Sequence, residues 1–136
     1  RLDTKFSSLR EALKARERGL RVLIYTPEPA WTERLDKLLW TTPAIGFLPH
    51  CRATDKLADV TPVIVDHAVE APPHDEVLIN LHPETPPFFS RFQRLIEIVG
   101  ADSQDGEAGR NRFRFYRDRG YDIRHHKVDS PDQAAR

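Results

Sequence analysis

Four short apolar runs constrain the fold of this chain more than any other feature. They are Arg21-Val22-Leu23-Ile24-Tyr25, Val60-Thr61-Pro62-Val63-Ile64-Val65, Glu76-Val77-Leu78-Ile79-Asn80-Leu81 and Leu95-Ile96-Glu97-Ile98-Val99. Each is shorter than an ordinary helix, and each lacks the polar alternation of a strand with one wet face. Such runs fit parallel strands covered on both faces. Pro62 cannot donate to a ladder, so the second strand begins at an edge or a bulge. Helical patterns lie between the runs. Residues 2–18 carry a loose stripe of Phe6, Leu9 and Leu13, and Gly19 ends that helix. Residues 30–40 turn Trp31, Leu35, Leu38 and Leu39 inward, and residues 88–94 read as a short helix. Phe47-Leu48-Pro49-His50-Cys51 is a strand end or a loop. Strands alternating with helices predict a three-layer α/β fold with a mostly parallel sheet.

The most distinctive polar stretch follows an acidic, polar loop at 100–106. Residues 109–121 contain five arginines (Arg110, Arg112, Arg114, Arg117 and Arg119) against the one acid Asp118, with Phe113, Phe115 and Tyr116 threaded between them. Gly120 is placed to stop a helix. Three- and four-residue spacing puts Arg110, Phe113, Arg114 and Arg117 on one face, while Phe115, Tyr116 and Arg119 point elsewhere. A cationic face with an apolar foothold suits an acidic peptide or phosphates, and the plainer alternative is a solvated basic helix.

Composition decides between these options only at the level of the patch. The 136 residues fit one domain, and 21 basic residues balance 21 acidic ones. A global charge suited to nucleic acid is therefore absent, and attraction must come from a local patch. The single Cys51 excludes an internal disulfide and fits a reducing, cytoplasmic compartment. No apolar run approaches the roughly 20 residues of a membrane span, and no signal peptide is visible. We expect one domain over residues 1–126 and a polar, flexible tail over 127–136. The absence of any methionine points to a missing native start.

Catalytic and metal-binding motifs are weak. The turn Thr26-Pro27-Glu28-Pro29 has no glycine, so it cannot cradle a phosphate where nucleotide-binding α/β folds place that loop. His50 and Cys51 are adjacent, and adjacent strand residues face opposite ways, which makes them poor joint ligands. Asp66-His67 follows a strand without any nucleophile motif, which favours loop capping over catalysis. His125-His126 lacks partners at metal-binding spacing. No cofactor, metal or catalytic residue is expected. Trp40 and Phe47, flanking Pro43 and near Pro49, are core residues or an exposed anchor for a partner.

Several segments together resemble the chi subunit of bacterial DNA polymerase III holoenzyme. They are Arg34-Leu35-Asp36-Lys37-Leu38-Leu39-Trp40-Thr41, Phe47-Leu48-Pro49-His50, Pro62-Val63-Ile64-Val65 and Glu76-Val77-Leu78-Ile79-Asn80-Leu81, then Phe88-Phe89-Ser90-Arg91-Phe92 leading into Ile96-Glu97-Ile98-Val99, and finally Arg110-Asn111-Arg112-Phe113-Arg114-Phe115-Tyr116-Arg117 with Gly120-Tyr121. Each segment is weakly specific; their order and spacing carry the match, over about residues 20–121.

The resemblance implies a mononucleotide-binding-like fold with no catalytic activity of its own, in a clamp-loader accessory protein of the replicase. It implies two partners: the psi subunit, and the acidic, phenylalanine-ended C-terminal tail of single-stranded DNA-binding protein. The family's tail-binding positions match Val99, Arg110, Phe113 and Arg114, and Arg117 joins them on the basic face. Arg114 stands where some relatives have lysine and Phe113 where some have tyrosine, so charge and ring are kept. A further basic position falls at Gly106, which implies a weaker or displaced contact there. The psi-facing surface is assigned to Trp40, Phe47 and Pro49. Family members begin with a strand before the first helix, and this chain begins near that helix. The leading reading is a non-catalytic adaptor that reaches DNA indirectly. The alternative is direct binding of single-stranded nucleic acid by the same helix. A third possibility is a small hydrolase or transferase using Asp66, His67 or Cys51.

Overall fold

A computed structural model describes residues 2–41, 48–99, 103–120 and 124–127. In chain order the elements are α1 (Leu2–Glu17), β1 (Val22–Tyr25), α2 (Pro29–Thr41), β2 (His50–Cys51), β3 (Val63–Asp66), β4 (Val77–Asn80), a 3-10 turn (Phe89–Arg91), β5 (Arg94–Val99), α3 (Ser103–Asp118) and β6 (Arg124–Lys127). The strands form one sheet in the order β2-β3-β1-β4-β5-β6, and every neighbouring pair is parallel. The predicted α/β class holds.

The register explains why the runs are apolar throughout. Val22 lies between Val63 and Val77, and Ile24 between Val65 and Ile79. These residues face one side of the sheet, where Leu9, Ala12 and Ala15 of α1 and Leu35 and Leu39 of α2 bury them. The alternate residues Leu23, Ile64, Leu78 and Leu95 face the other side and meet Phe88, Phe92 and Tyr116. With both faces covered, period two leaves no wet position in the central strands.

Both expected helix stops are glycines in the left-handed region, Gly19 at φ 76° and Gly120 at φ 79°. At the first, Gly19 N–H donates to Arg16 (2.9 Å) and Leu20 N–H donates to Ala15 (3.0 Å), which satisfies carbonyls the helix leaves open. At the second, Gly120 N–H donates to Arg117 at 3.0 Å.

Four boundaries differ from the sequence reading. Residues 88–94 form only a 3-10 turn: Phe92 is extended at φ −94°, ψ 144°, and Arg94 already pairs with Val77 in the sheet. Tertiary pairing overrides the local helical pattern there. The second strand starts at Val63 and extends to Asp66; Val60 precedes it in a turn, where its N–H and that of Thr61 donate to the Leu57 carbonyl. Helix α3 starts at Ser103, inside the stretch expected to be a loop. Acidic and hydroxyl residue types are favoured at helix starts, and the stretch is rich in them by sequence. The polar segment after Tyr121 supplies β6, which no apolar pattern announced. Backbone pairing from Ile96↔Arg124 to Val99↔Lys127 makes it a sheet edge.

Candidate functional site

Helix α3 has two opposed faces. On the outer face Arg110, Phe113, Arg114 and Arg117 line an open groove of about 330 Å³. The three arginines are exposed and Phe113 is half-buried. Among the described residues the arginines' partners are weak: Arg114 Nη2 donates to Asn111 Oδ1 at 3.4 Å, and Arg117 approaches Asp118 at 3.6 Å with both side chains over 60% exposed. Solvated pairs of this kind contribute about 0–1 kcal/mol, so an anionic ligand displaces them at little cost. Arg119 belongs to another side, with its guanidinium 3.6 Å from the centre of the Phe115 ring.

The inner face holds what the sequence reading missed. Arg112 is buried, and its Nε donates to Glu97 Oε2 at 3.0 Å while Nη1 donates to the Pro83 carbonyl. Tyr116, one turn on and fully buried, donates to Glu97 Oε1 at 2.9 Å. Asn80 Nδ2 reaches both carboxylate oxygens, at 2.9 and 3.1 Å. Asn80 also ties down the following loop: its Oδ1 accepts from His82 N–H at 3.0 Å. Burial pushes the Glu97 carboxyl up against the opposing pull of Arg112, Asn80 and Tyr116. Burial and the adjacent Glu97 charge push the Tyr116 phenol up as well. One signal was available in the sequence. Glu97 interrupts a run that must be buried on both faces, and a charge there needs partners.

Of the five positions expected from the sequence to bind the tail, the structure brings Arg110, Phe113, Arg114 and Arg117 together. Val99 closes β5, its backbone paired with Lys127, and its side chain lies outside those described. On the other assigned surface, Trp40 lies in the last turn of α2 with 62% exposure, its indole edge-on to His50 at 5.0 Å. Pro49 is exposed just before β2, and its carbonyl accepts from Val63 N–H at 3.3 Å. Phe47 lies outside the described residues. His50 links this corner, with Nδ1 2.8 Å from the Leu48 carbonyl and Nε2 3.0 Å from Asp36.

The residues weighed for catalysis have structural tasks. Asp66 is buried and accepts from Arg52 Nη2 (2.8 Å) and from the N–H groups of Ala53 (2.9 Å), His67 (2.8 Å) and Ala68 (3.2 Å). Burial raises its pKa, but these donors outweigh burial and hold it below the usual carboxylate value. It caps two loops, as the sequence reading favours. His67 Nδ1 lies 3.1 Å from Thr32 Oγ1. Cys51 is half-buried beside the second core cluster. Among the described residues, no three His, Cys, Asp or Glu side chains are grouped to hold a metal, and no helix is long and apolar enough to cross a membrane.

Residues 5–124 match the family model for the DNA polymerase III chi subunit, HolC. The chain is 33% identical over 119 residues to the DNA polymerase III subunit chi of Pseudomonas aeruginosa, covering 88% of this chain and 82% of that protein. It is 28% identical over 106 residues to the DNA polymerase III subunit chi of Escherichia coli K12, covering 77% and 72%. These matches, together with the all-parallel sheet, establish that the chain belongs to the DNA polymerase III chi subunit family.

Proposed function

We propose that this chi-family chain is an adaptor whose α3 groove binds the acidic, phenylalanine-ended C-terminal tail of single-stranded DNA-binding protein. Family membership makes it a non-catalytic accessory subunit of DNA polymerase III, acting in DNA replication. The observation that carries the finer reading is the groove itself, three exposed arginines around one half-buried ring. A guanidinium fork holds a terminal carboxylate through two parallel hydrogen bonds. Phe113 offers a face to the apolar end residue. Aspartates upstream on the tail meet the remaining arginine.

Fluorescence anisotropy of a labelled tail peptide, with and without its last phenylalanine, tests this. We expect binding that requires the phenylalanine and weakens with salt. Replacing Arg110 and Arg114 together by alanine removes two charge-assisted contacts and should weaken binding by about 10-fold or more. Unchanged affinity in that variant would remove the groove from the reading. Tight binding of bare single-stranded DNA in a gel shift, with no peptide binding, would favour the nucleic-acid alternative.

For the psi subunit the supporting observation is Trp40, large, apolar and exposed against His50, the residue after exposed Pro49. Trp40→Ala should lower psi affinity by about 10-fold or more, as interface tryptophans do, and leave tail binding unchanged. Equal psi affinity by titration calorimetry would reject that surface.

A further inference from the structure

We propose that Glu97 is a positioning residue for the groove: through Arg112 and Tyr116 it fixes the rotation of α3 and so the presentation of Phe113. This rests on the tail-binding reading of the groove. At 3.6 residues per turn, Arg112 and Tyr116 lie within about 40° of each other around the helix, and the four groove residues centre about 130° away. Both inner side chains bond to the same carboxylate, Arg112 Nε at 3.0 Å and Tyr116 Oη at 2.9 Å. Glu97 is fully buried in β5, and Asn80 of β4 holds its two oxygens from the other side. The hub therefore joins two central strands to one line along the helix.

Ring contacts also hold α3: Phe89 packs edge-on against Tyr116 at 5.2 Å and Phe115 at 5.5 Å. Among the described α3 side chains, Tyr116 is the buried member of the core clusters, with Phe115 packed at the margin. Ring contacts are not directional enough to fix a helix's rotation, and two hydrogen-bonded points one turn apart oppose a roll. The groove residues respond unequally. Arg110, Arg114 and Arg117 are exposed and stay exposed in any small rotation. Phe113 is half-buried at the groove's inner margin, so its accessibility follows the rotation. Glu97 thus governs recognition of the apolar end residue, and the arginines govern electrostatic attraction.

The test measures the ratio of tail-peptide affinities with and without the terminal phenylalanine, together with hydrogen exchange of α3 amides. Glu97→Gln puts an amide nitrogen where the carboxylate faces donors on both oxygens. We expect the affinity ratio to fall at least 5-fold, residual salt-dependent binding to persist, and α3 exchange to quicken at least 10-fold relative to β1 and β4. Tyr116→Phe keeps the ring and removes one bond; we expect a smaller change in the same direction, and this variant decides the question if Glu97→Gln does not fold. An unchanged ratio and unchanged α3 exchange in a folded variant would overturn the proposal. If the wild-type chain ignores the peptide, the tail-binding reading fails, and the exchange result alone judges whether Glu97 fixes the helix. A simple loss of global stability would speed exchange everywhere and leave the ratio as it was.

Discussion

Two buried carboxylates, Asp66 and Glu97, show how neighbours decide what a charge does. Asp66 is surrounded by donors at the ends of two loops, and its pKa is depressed from 3.8. Its folded form binds its proton less readily than the unfolded chain does. The stability this confers is present above the unfolded value and is lost as pH falls through the lower folded value. Asp66→Asn keeps the shape and removes the charge-assisted bond to Arg52. We expect it to cost about 1–3 kcal/mol near neutral pH and to flatten the acid limb of stability, measured by urea unfolding at several pH values. Glu97 has the opposite sign, since burial raises its pKa. It contributes a stabilisation that appears as pH falls through its raised folded value, and this offsets part of the loss at Asp66. The pairing of Asp66 with a loop was legible from its position after a strand. The role of Arg112 was not, because spacing along a helix groups arginines by face without saying which face meets a buried acid.

Helix ends are the elements most clearly written in the chain. Gly19 and Gly120 adopt positive φ with open space where a Cβ would go, so a substitution there is resisted by backbone strain alone. Gly19→Ala should therefore destabilise the protein by about 1 kcal/mol, seen as a lower thermal midpoint without change in tail binding. A neutral substitution would contradict the assigned cap. Strand ends were harder to read. Val60 has high strand propensity and adjoins a true strand, yet it is 75% exposed in a turn. β6 has polar residues throughout and owes its place to backbone pairing with β5. Propensity reports local preference, whereas pairing depends on an edge being available.

At the scale of the whole molecule, the sheet separates two surfaces. Helix α3, which carries the groove, is bonded to Glu97 of β5, while Trp40 lies against His50 of β2 at the far edge of the sheet. The two proposed partner surfaces therefore do not overlap. Between them the central strands carry the stability. Leu78 is fully buried, and Leu78→Ala should cost about 2–5 kcal/mol in urea unfolding, while Val60→Ser should stay within about 0.5 kcal/mol. Comparable losses for both would mean that Val60 is buried. The sequence by itself determined the α/β class, the four main strands, both glycine stops and the cationic outer face of α3. It could do so because those features repeat at the period of the element that carries them. Only the tertiary structure decided strand order, the edge strand β6, the shortening of residues 88–94 to one turn and the meeting of Glu97, Asn80, Arg112 and Tyr116. Those depend on contacts between residues far apart in the chain, and no local period records them.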